Sequence, residues 1–183
     1  MSNENKKEKG MTDNIPIYCS FDKIVDIDKV IPNPKNPNKH STRQIELLAK
    51  IIKAQGWRAP ITVSLRSGYV VRGHGRLEAA INLGLTQVPV DYQNYDSDAM
   101  EKADLLADNQ IANYAELSRD ETYHIIEDLS NESIDLDLSG FDGEALQEFL
   151  NDVGTDITGI DEAPDNGGGS KGKRKCPKCG YEW

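Results

Sequence analysis

The stretch Val71-Arg72-Gly73-His74-Gly75-Arg76-Leu77-Glu78-Ala79-Ala80 decides how this chain is interpreted, because an apolar strand turns into a helix there. Glycine permits positive φ and close approach of the backbone to a ligand, and the first turn of a helix presents unpaired N–H groups. Arg76 and His74 add charged donors suited to phosphate oxygens. The pattern predicts an anion-binding turn at Gly73, His74, Gly75 and Arg76. The alternative is a plain glycine turn with a solvated arginine.

The charge of the chain is distributed unevenly. The 183 residues carry a formal net charge of −10, and residues 120–170 hold 15 acidic side chains but no Lys or Arg. Residues 1–119 are therefore close to neutral, and residues 171–183 are basic. A strongly basic domain would indicate nucleic-acid binding by electrostatics alone, and this chain does not have one.

Neither a membrane segment nor a disulfide framework is expected. No apolar run reaches the roughly 18 residues that span a bilayer, and residues 1–10 are polar where a secretion signal is apolar. The three cysteines are an isolated Cys19 and a close pair, Cys176 and Cys179, which is too few for a disulfide scaffold. We expect a cytoplasmic protein that has no membrane partner.

Hydrophobic spacing and turn residues divide the chain into segments. The main one is a compact α+β domain, a small mixed sheet packed with helices. The predicted boundaries are 1–20 (disordered or an edge strand), 21–130 (the α+β domain), 131–151 (an acidic strand-helix extension), 152–175 (a flexible linker) and 176–183 (a short Cys-x-x-Cys tail).

Capping boxes and apolar periodicity predict the individual elements. The expected helices cover about 42–55, 76–83, 98–107 and 119–129, with a brief helix after Asp142. The expected strands cover 61–65, 69–72, 88–92 and 134–138. Asp108-Asn109-Gln110 would then lie in the loop between two helices.

The order of these motifs resembles the ParB/sulfiredoxin-like N-terminal domain over about residues 21–130. The similarity is closest to the branch found with phage and prophage DNA-modification methyltransferases. Besides the glycine turn, it is carried by Asn36-Pro37-Asn38-Lys39-His40-Ser41, Gln44-Ile45, Val88-Pro89-Val90, Ala107-Asp108-Asn109 and Gly140-Phe141-Asp142.

The resemblance implies a nucleotide site. ParB proteins of the chromosome-segregation type bind CTP and magnesium through a Gly-Glu-Arg-Arg motif and a later Glu-Asn pair. Gly73 and Arg76 keep the residue type of that motif, whereas His74 and Gly75 replace a Glu and an Arg. The residues implied for a nucleotide (CTP or ATP) are Gly73, His74, Gly75, Arg76, Asn36 and His40, and those implied for Mg²⁺ are Asp108 and Asn109. The alternative is that Asp108 and Asn109 only cap or turn the chain.

Catalysis on this scaffold remains an alternative. Sulfiredoxin chemistry requires a cysteine thiolate where His74 stands, so it is excluded. Free-serine kinases have a similar Gly-His-His-Arg loop but need an acid in the early loop, and residues 31–40 contain none. Metal-dependent cleavage needs convergent carboxylates, for which Asp108 is the clear candidate. A metal-dependent nuclease, an NTP hydrolase and a kinase stay open.

The tail offers half of a zinc site. Cys176 and Cys179 have the spacing of one zinc-ribbon knuckle, and a closed site needs four ligands. Zinc would therefore be shared with a partner chain, or the knuckle is metal-free.

These features predict a DNA-associated accessory protein that contains a nucleotide-binding domain, encoded by a phage or prophage and linked to DNA modification or partitioning. The implied partners are DNA, a DNA methyltransferase and further copies of the chain. The second alternative to this function is a non-catalytic assembly module, in which the acidic residues 120–170 dock a basic partner.

Overall fold

A computed structural model describes residues 8–157 of the chain, with side chains described for residues 8–152. Within this range the fold is α+β, which confirms the predicted class. The strands are β1 (Gly10–Thr12), β2 (Ile15–Ile17), β3 (Lys23–Asp26), β4 (Ile61–Ser64), β5 (Val70–Arg72) and β6 (Gln87–Gln93). The helices are α1 (Thr42–Gln55), α2 (His74–Asn82), α3 (Asp98–Ala112), α4 (Arg119–Asn131) and α5 (Gly143–Ile157), and 3₁₀ turns cover Ile27–Lys29 and Leu136–Ser139.

The central sheet has the strand order β3-β6-β4-β5. β4 and β6 are parallel, with Ile61 opposite Val90, and the other pairs are antiparallel. Parallel neighbours need a crossover, so the chain passes from β4 through β5 and α2 before it returns as β6. In this strand order β5 lies at the edge of the sheet, and its last residue, Arg72, leads directly into Gly73.

Helix α1 forms as its sequence predicts and packs against α2. Its N-cap hydroxyl, Ser41, accepts a hydrogen bond from the Gln44 N–H. Its apolar stripe, Ile45, Ala49 and Ile52, is buried in the core at helical spacing.

The folded region begins before residue 21, where the sequence pattern places its start. β1 and β2 form an antiparallel hairpin, and Asp13 and Asn14 turn the chain with positive φ values of 46° and 65°. Ile17 is fully buried and bridges to Trp57 after α1. The short apolar run is thus part of the core, because it pairs with a segment distant in sequence.

The predicted strand over 134–138 is wrong, because Leu136–Ser139 forms a 3₁₀ turn. The Asp135 carboxylate caps this turn by accepting the Asp137 N–H, and Gly140 ends it with a φ of 93°. Alternating apolar residues form a strand only where a sheet edge can pair with them, and no strand pairs here.

Helices α2, α3 and α5 are longer than predicted. α2 begins at His74 rather than Arg76, directly after Gly73. α3 continues to Ala112, so Asp108 and Asn109 lie on a helix and not in a loop, since no Gly or Pro interrupts this stretch. α5 runs to Ile157, beyond the predicted start of the linker at residue 152. The rest of that linker, and the tail with Cys176 and Cys179, lie outside the described residues.

Across residues 8–157, none of the helices combines the length and the apolar character that crossing a bilayer requires.

Candidate functional site

Gly73 provides the backbone turn between β5 and α2. It is the N-cap of α2 and has a left-handed conformation, with φ 89°. A Cβ atom here would lie 3.1 Å from Nη1 of Arg76 and 3.5 Å from the Cα of Ile61. Glycine therefore permits the turn and also leaves the space in which the Arg76 guanidinium lies.

Gly75 allows close contact between α2 and the segment around α1. A Cβ atom on Gly75 would lie 3.0 Å from Cδ1 of Leu48 and 3.2 Å from Cε1 of His40. His40 in turn places its Nδ1 3.1 Å from Oε1 of Gln44 on α1. The missing side chain thus brings the His40 ring against the first turn of α2.

Arg76 differs from its neighbours in having no carboxylate partner. Arg43, Arg66 and Arg72 all form ion pairs with aspartates. Within the described range, the half-buried Arg76 has no ion pair and no hydrogen bond. Its charge is therefore available to an external anion, next to the free N–H groups of α2.

His74 is a neutral, buried ring and not the charged donor expected from sequence. It is 7% exposed, and its Nε2 accepts a hydrogen bond of 3.2 Å from the Asn33 N–H. Burial lowers the pKa of His74 and the nearby His40 lowers it further, while Asp108 acts in the opposite direction. Since Nε2 is an acceptor, the proton lies on Nδ1. His74 thus ties the proline-rich loop to α2.

These residues surround a small cleft of about 150 Å³. The structure brings together most of the predicted site, because the glycine turn, the segment before α1 and the second half of α3 meet there. The lining residues are His40, Leu48, Gly73, His74, Gly75, Arg76, Asp108 and Asn109. Asn36 is not among them, and its side chain hydrogen-bonds the backbone of Asn38 within the loop.

Asp108 and Asn109 contribute oxygen atoms to the cleft. Oδ1 of Asp108 lies 3.9 Å from Nε of Arg72. Asn109 donates its Nδ2 to the Leu105 carbonyl, so its Oδ1 is left for a ligand. In residues 8–152, no three His, Cys, Asp or Glu side chains converge as a metal site. These two oxygens suit Mg²⁺ only when phosphate and water complete the coordination.

A family model for the ParB N-terminal domain matches residues 5–109, more than half of the chain. The chain belongs to this family. The matched range includes the N-terminal hairpin and ends at Asn109, so it spans every residue that lines the cleft.

The chain is also similar to individual proteins of known sequence or structure. The chain is 36% identical over 64 residues to the ParB-like nuclease domain-containing protein YnaK of Escherichia coli K12, covering 35% of this chain and 72% of YnaK. The ParB of Caulobacter crescentus complexed with CTP-gamma-S is similar in structure, with a TM-score of 0.50, 22% identity and coverage of 70% of this chain and 69% of that one. A Pnob8-like ParB-N domain aligns with a TM-score of 0.42, 17% identity and coverage of 62% and 46%.

Sequence reasoning missed a larger cavity in this ParB N-terminal domain. It has a volume of about 580 Å³ and lies between the proline-rich loop, the β4–β5 turn and α3. Its walls include Asn33, Ser67 and Glu101. In the sequence Glu101 looks like an ordinary acidic residue in the first turn of a helix. Nothing in the sequence indicates that α3 packs over the β4–β5 hairpin.

Proposed function

We propose that the cleft binds the phosphate groups of a nucleoside triphosphate together with Mg²⁺, and that the chain is a DNA-associated accessory protein. The observation that carries the proposal is the unpaired Arg76 guanidinium, held over Gly73 at the N-terminus of α2. The N-terminus of a helix and a free guanidinium are both suited to phosphate oxygens. The resemblance suggests CTP or ATP, and a CTP analogue is bound by the similar Caulobacter ParB.

The residues that line the cleft suit a nucleoside triphosphate with bound Mg²⁺. The glycine turn at Gly73 keeps the backbone open to phosphate, and a Cβ atom would displace the guanidinium. Asp108 and Oδ1 of Asn109 line the same cleft and would hold Mg²⁺, and the metal would offset negative charge on the phosphates. His74, Gly75 and His40 also line the cleft, and Asn36 would act through the conformation of its loop.

Association with DNA is proposed from membership of the family. The resemblance to the branch found with DNA-modification methyltransferases extends the proposal to a phage or prophage origin, a methyltransferase partner and a role in DNA modification. Family membership extends it to a role in partitioning and to self-association in the cytoplasm. Zinc shared through Cys176 and Cys179 is also a proposal, since both residues lie outside the described range. Each of these depends on partners and is secondary to the phosphate site.

Isothermal titration tests the phosphate site directly. CTP, ATP and GTP are each titrated with Mg²⁺ into the full chain and into Arg76→Gln. Loss of the guanidinium is expected to weaken binding by about tenfold or more. Lys53→Gln, which removes an exposed charge from α1, is the control and should leave the affinity unchanged. The absence of binding by all three nucleotides would refute the proposal.

Hydrolysis of the bound nucleotide is the second candidate, favoured by the position of Asp108 in the cleft beside Asn109. A carboxylate that holds Mg²⁺ on the phosphates is a common part of such enzymes. Phosphate release would be measured for the full chain and for Asp108→Asn, with nicking of supercoiled plasmid followed in parallel for nuclease activity. If neither product forms over hours, the chain binds nucleotide without catalysis.

A further inference from the structure

Glu101 is a buried carboxylate, and each of its two oxygens accepts one hydrogen bond from a serine. It lies near the start of α3 and is 7% exposed. The Ser64 hydroxyl donates to its Oε2 at 2.6 Å, and the Ser67 hydroxyl donates to its Oε1 at 2.7 Å. No Lys, Arg or His of the described segment forms an ion pair with it. Two neutral donors therefore hold this buried acid.

A carboxylate can accept about four hydrogen bonds, two at each oxygen. Both oxygens of Glu101 keep acceptor capacity, and burial of a charge without full compensation is costly. Its side chain also lines the 580 Å³ cavity, which is large enough for an organic ligand. A ligand with two adjacent donors would complete the hydrogen bonding of both oxygens.

The rest of the cavity restricts the chemistry of that ligand. Pro34, Tyr69 and Leu105 provide apolar surface of the kind against which a flat ring packs. Arg66 is ion-paired with Asp98 in the cavity wall, whereas Lys35 and Lys102 form no ion pair among the described residues, so their charges favour a ligand that carries negative charge away from Glu101. The expected ligand has neutral N–H donors on a ring and carries negative charge elsewhere.

The cavity and the phosphate cleft are adjacent. Asn33 lines the cavity and donates its N–H to His74, which lines the cleft. Helix α3 borders both, with Glu101 in the cavity and Asp108 in the cleft. Seven residues separate these two acids, or about 10.5 Å along the helix axis. A ribose and an α-phosphate can bridge that separation, so one nucleotide can occupy both spaces.

We propose that Glu101 selects guanine, so that the nucleotide of the proposed phosphate site is GTP or another guanine nucleotide. Guanine presents two neighbouring donors, N1–H and the N2 amino group, to a carboxylate. Adenine and cytosine present one donor beside an acceptor, and uracil presents a single N–H between two acceptors. Against Glu101 an acceptor nitrogen would face a carboxylate oxygen, which leaves both groups unpaired. This inference depends on the phosphate site proposed above.

The test is a comparison of GTP, ITP, ATP and CTP, each titrated with Mg²⁺ into the full chain. GTP is expected to bind about 10- to 100-fold more tightly than ATP or CTP, the range for hydrogen bonds to a charged group. ITP lacks the N2 amino group, so its affinity should lie between that of GTP and those of ATP and CTP. Equal affinity for the four nucleotides would overturn the guanine inference and leave the phosphate site standing. If none of them binds, the phosphate site and this inference fail together.

Glu101→Gln distinguishes base selection from a structural role. A glutamine presents one acceptor and one donor, which matches adenine or cytosine better than guanine. The variant should lose most of the preference for GTP while retaining or gaining affinity for ATP or CTP. Glu78→Gln, on the exposed side of α2, is the matched control and should keep the ranking of the unmodified chain. A Glu101→Gln protein that still prefers GTP to the same extent would contradict the assignment.

Discussion

At the scale of single residues, Gly73 illustrates how a missing side chain organises the cleft. Its φ is 89°, and a Cβ atom would lie 3.1 Å from the Arg76 guanidinium. Gly84 also has positive φ, 70°, but nothing lies within 4 Å of its Cβ position. Both glycines therefore adopt a backbone conformation that disfavours other residues. Of the two, only Gly73 also lies where a side chain would contact a neighbouring residue.

This difference gives a prediction. Gly73→Ala and Gly84→Ala should each lower the free energy of unfolding by about 1 kcal/mol, because alanine is strained at positive φ. Only Gly73→Ala should also weaken nucleotide binding, since the methyl group displaces Arg76. Thermal unfolding measures the first effect and titration calorimetry the second. Unchanged affinity in Gly73→Ala would show that the position of the guanidinium does not matter.

His74 predicts a dependence of stability on pH. Its pKa is lowered in the folded protein, so the unfolded chain binds more protons as the pH falls through 6.5, its ordinary value. The contribution of His74 to the free energy of unfolding is complete above pH 6.5 and is lost as the pH falls toward the pKa of the folded state. The loss is no more than about 1.4 kcal/mol per pH unit. The titratable groups that act on His74 are His40 and Asp108.

Urea unfolding between pH 5 and pH 7.5 measures this effect. His74→Leu should flatten the dependence and lower stability throughout, because the Asn33 N–H loses its acceptor. His124→Gln, at an exposed position of α4, should retain the slope of the unmodified chain. A slope that persists in His74→Leu would assign the titration to another group.

The resemblance to the ParB family implied that Gly73, Arg76 and Asp108 lie together, and the structure places all three around one cleft. The neutral state of His74 could not be predicted, since it depends on burial and on a hydrogen bond from Asn33, 41 residues away. Glu101 was missed for the same reason. Its serine partners lie 37 and 34 residues earlier and meet it only in the folded chain.

At the scale of elements, the acidic extension after α4 is held on α1 by ion pairs. Arg43 pairs with Asp142 and Glu144, and Lys50 pairs with Asp135 and Asp137. The acidity of this segment was evident from the sequence, but its docking was not. The sequence does not show which basic side chains contact this segment, because that depends on the side of α1 that packs against it.

Breaking the Arg43 contact should therefore release the extension locally. Hydrogen bonding from Arg43 lowers the pKa of Asp142 to about 2, so this carboxylate is charged at neutral pH and the contact is lost only as the pH falls from about 3.8 toward 2. At neutral pH, Arg43→Gln should speed amide hydrogen exchange in residues 135–144 without changing exchange in β4 and β6.

Arg58→Gln is the control for this experiment, because Arg58 stacks on Tyr18 and forms no ion pair with the described part of the extension. It should leave exchange in residues 135–144 unchanged. Exchange that is equally slow in Arg43→Gln would mean that other contacts, such as the hydrogen bond from Gln55 Nε2 to the Leu138 carbonyl, hold the extension without this ion pair.

At the scale of the whole molecule, most of the element order was predictable, and the ends of the domain were not. Strong local signals, such as the Ser41 cap and the stripe on α1, marked the centre of the chain. β1 and β2 are only three residues each, too short for a periodic pattern to emerge. Their position depends on pairing with Trp57 and on the Asp13 carboxylate, which accepts the N–H groups of Thr86 and Gln87.

If the hairpin is part of the cooperative core, a substitution in it should destabilise the whole domain. Ile17 is fully buried, whereas Met11 in the same hairpin is 50% exposed. Ile17→Ala should lower the free energy of unfolding by about 2–5 kcal/mol through lost burial and a cavity. Met11→Ala should change it by less than about 0.5 kcal/mol, as is usual for exposed positions. Denaturant unfolding followed by tryptophan fluorescence and by circular dichroism should give coincident transitions in both variants. Equal, small effects of the two substitutions would make the hairpin an appendage, and the folded domain would then begin near residue 21.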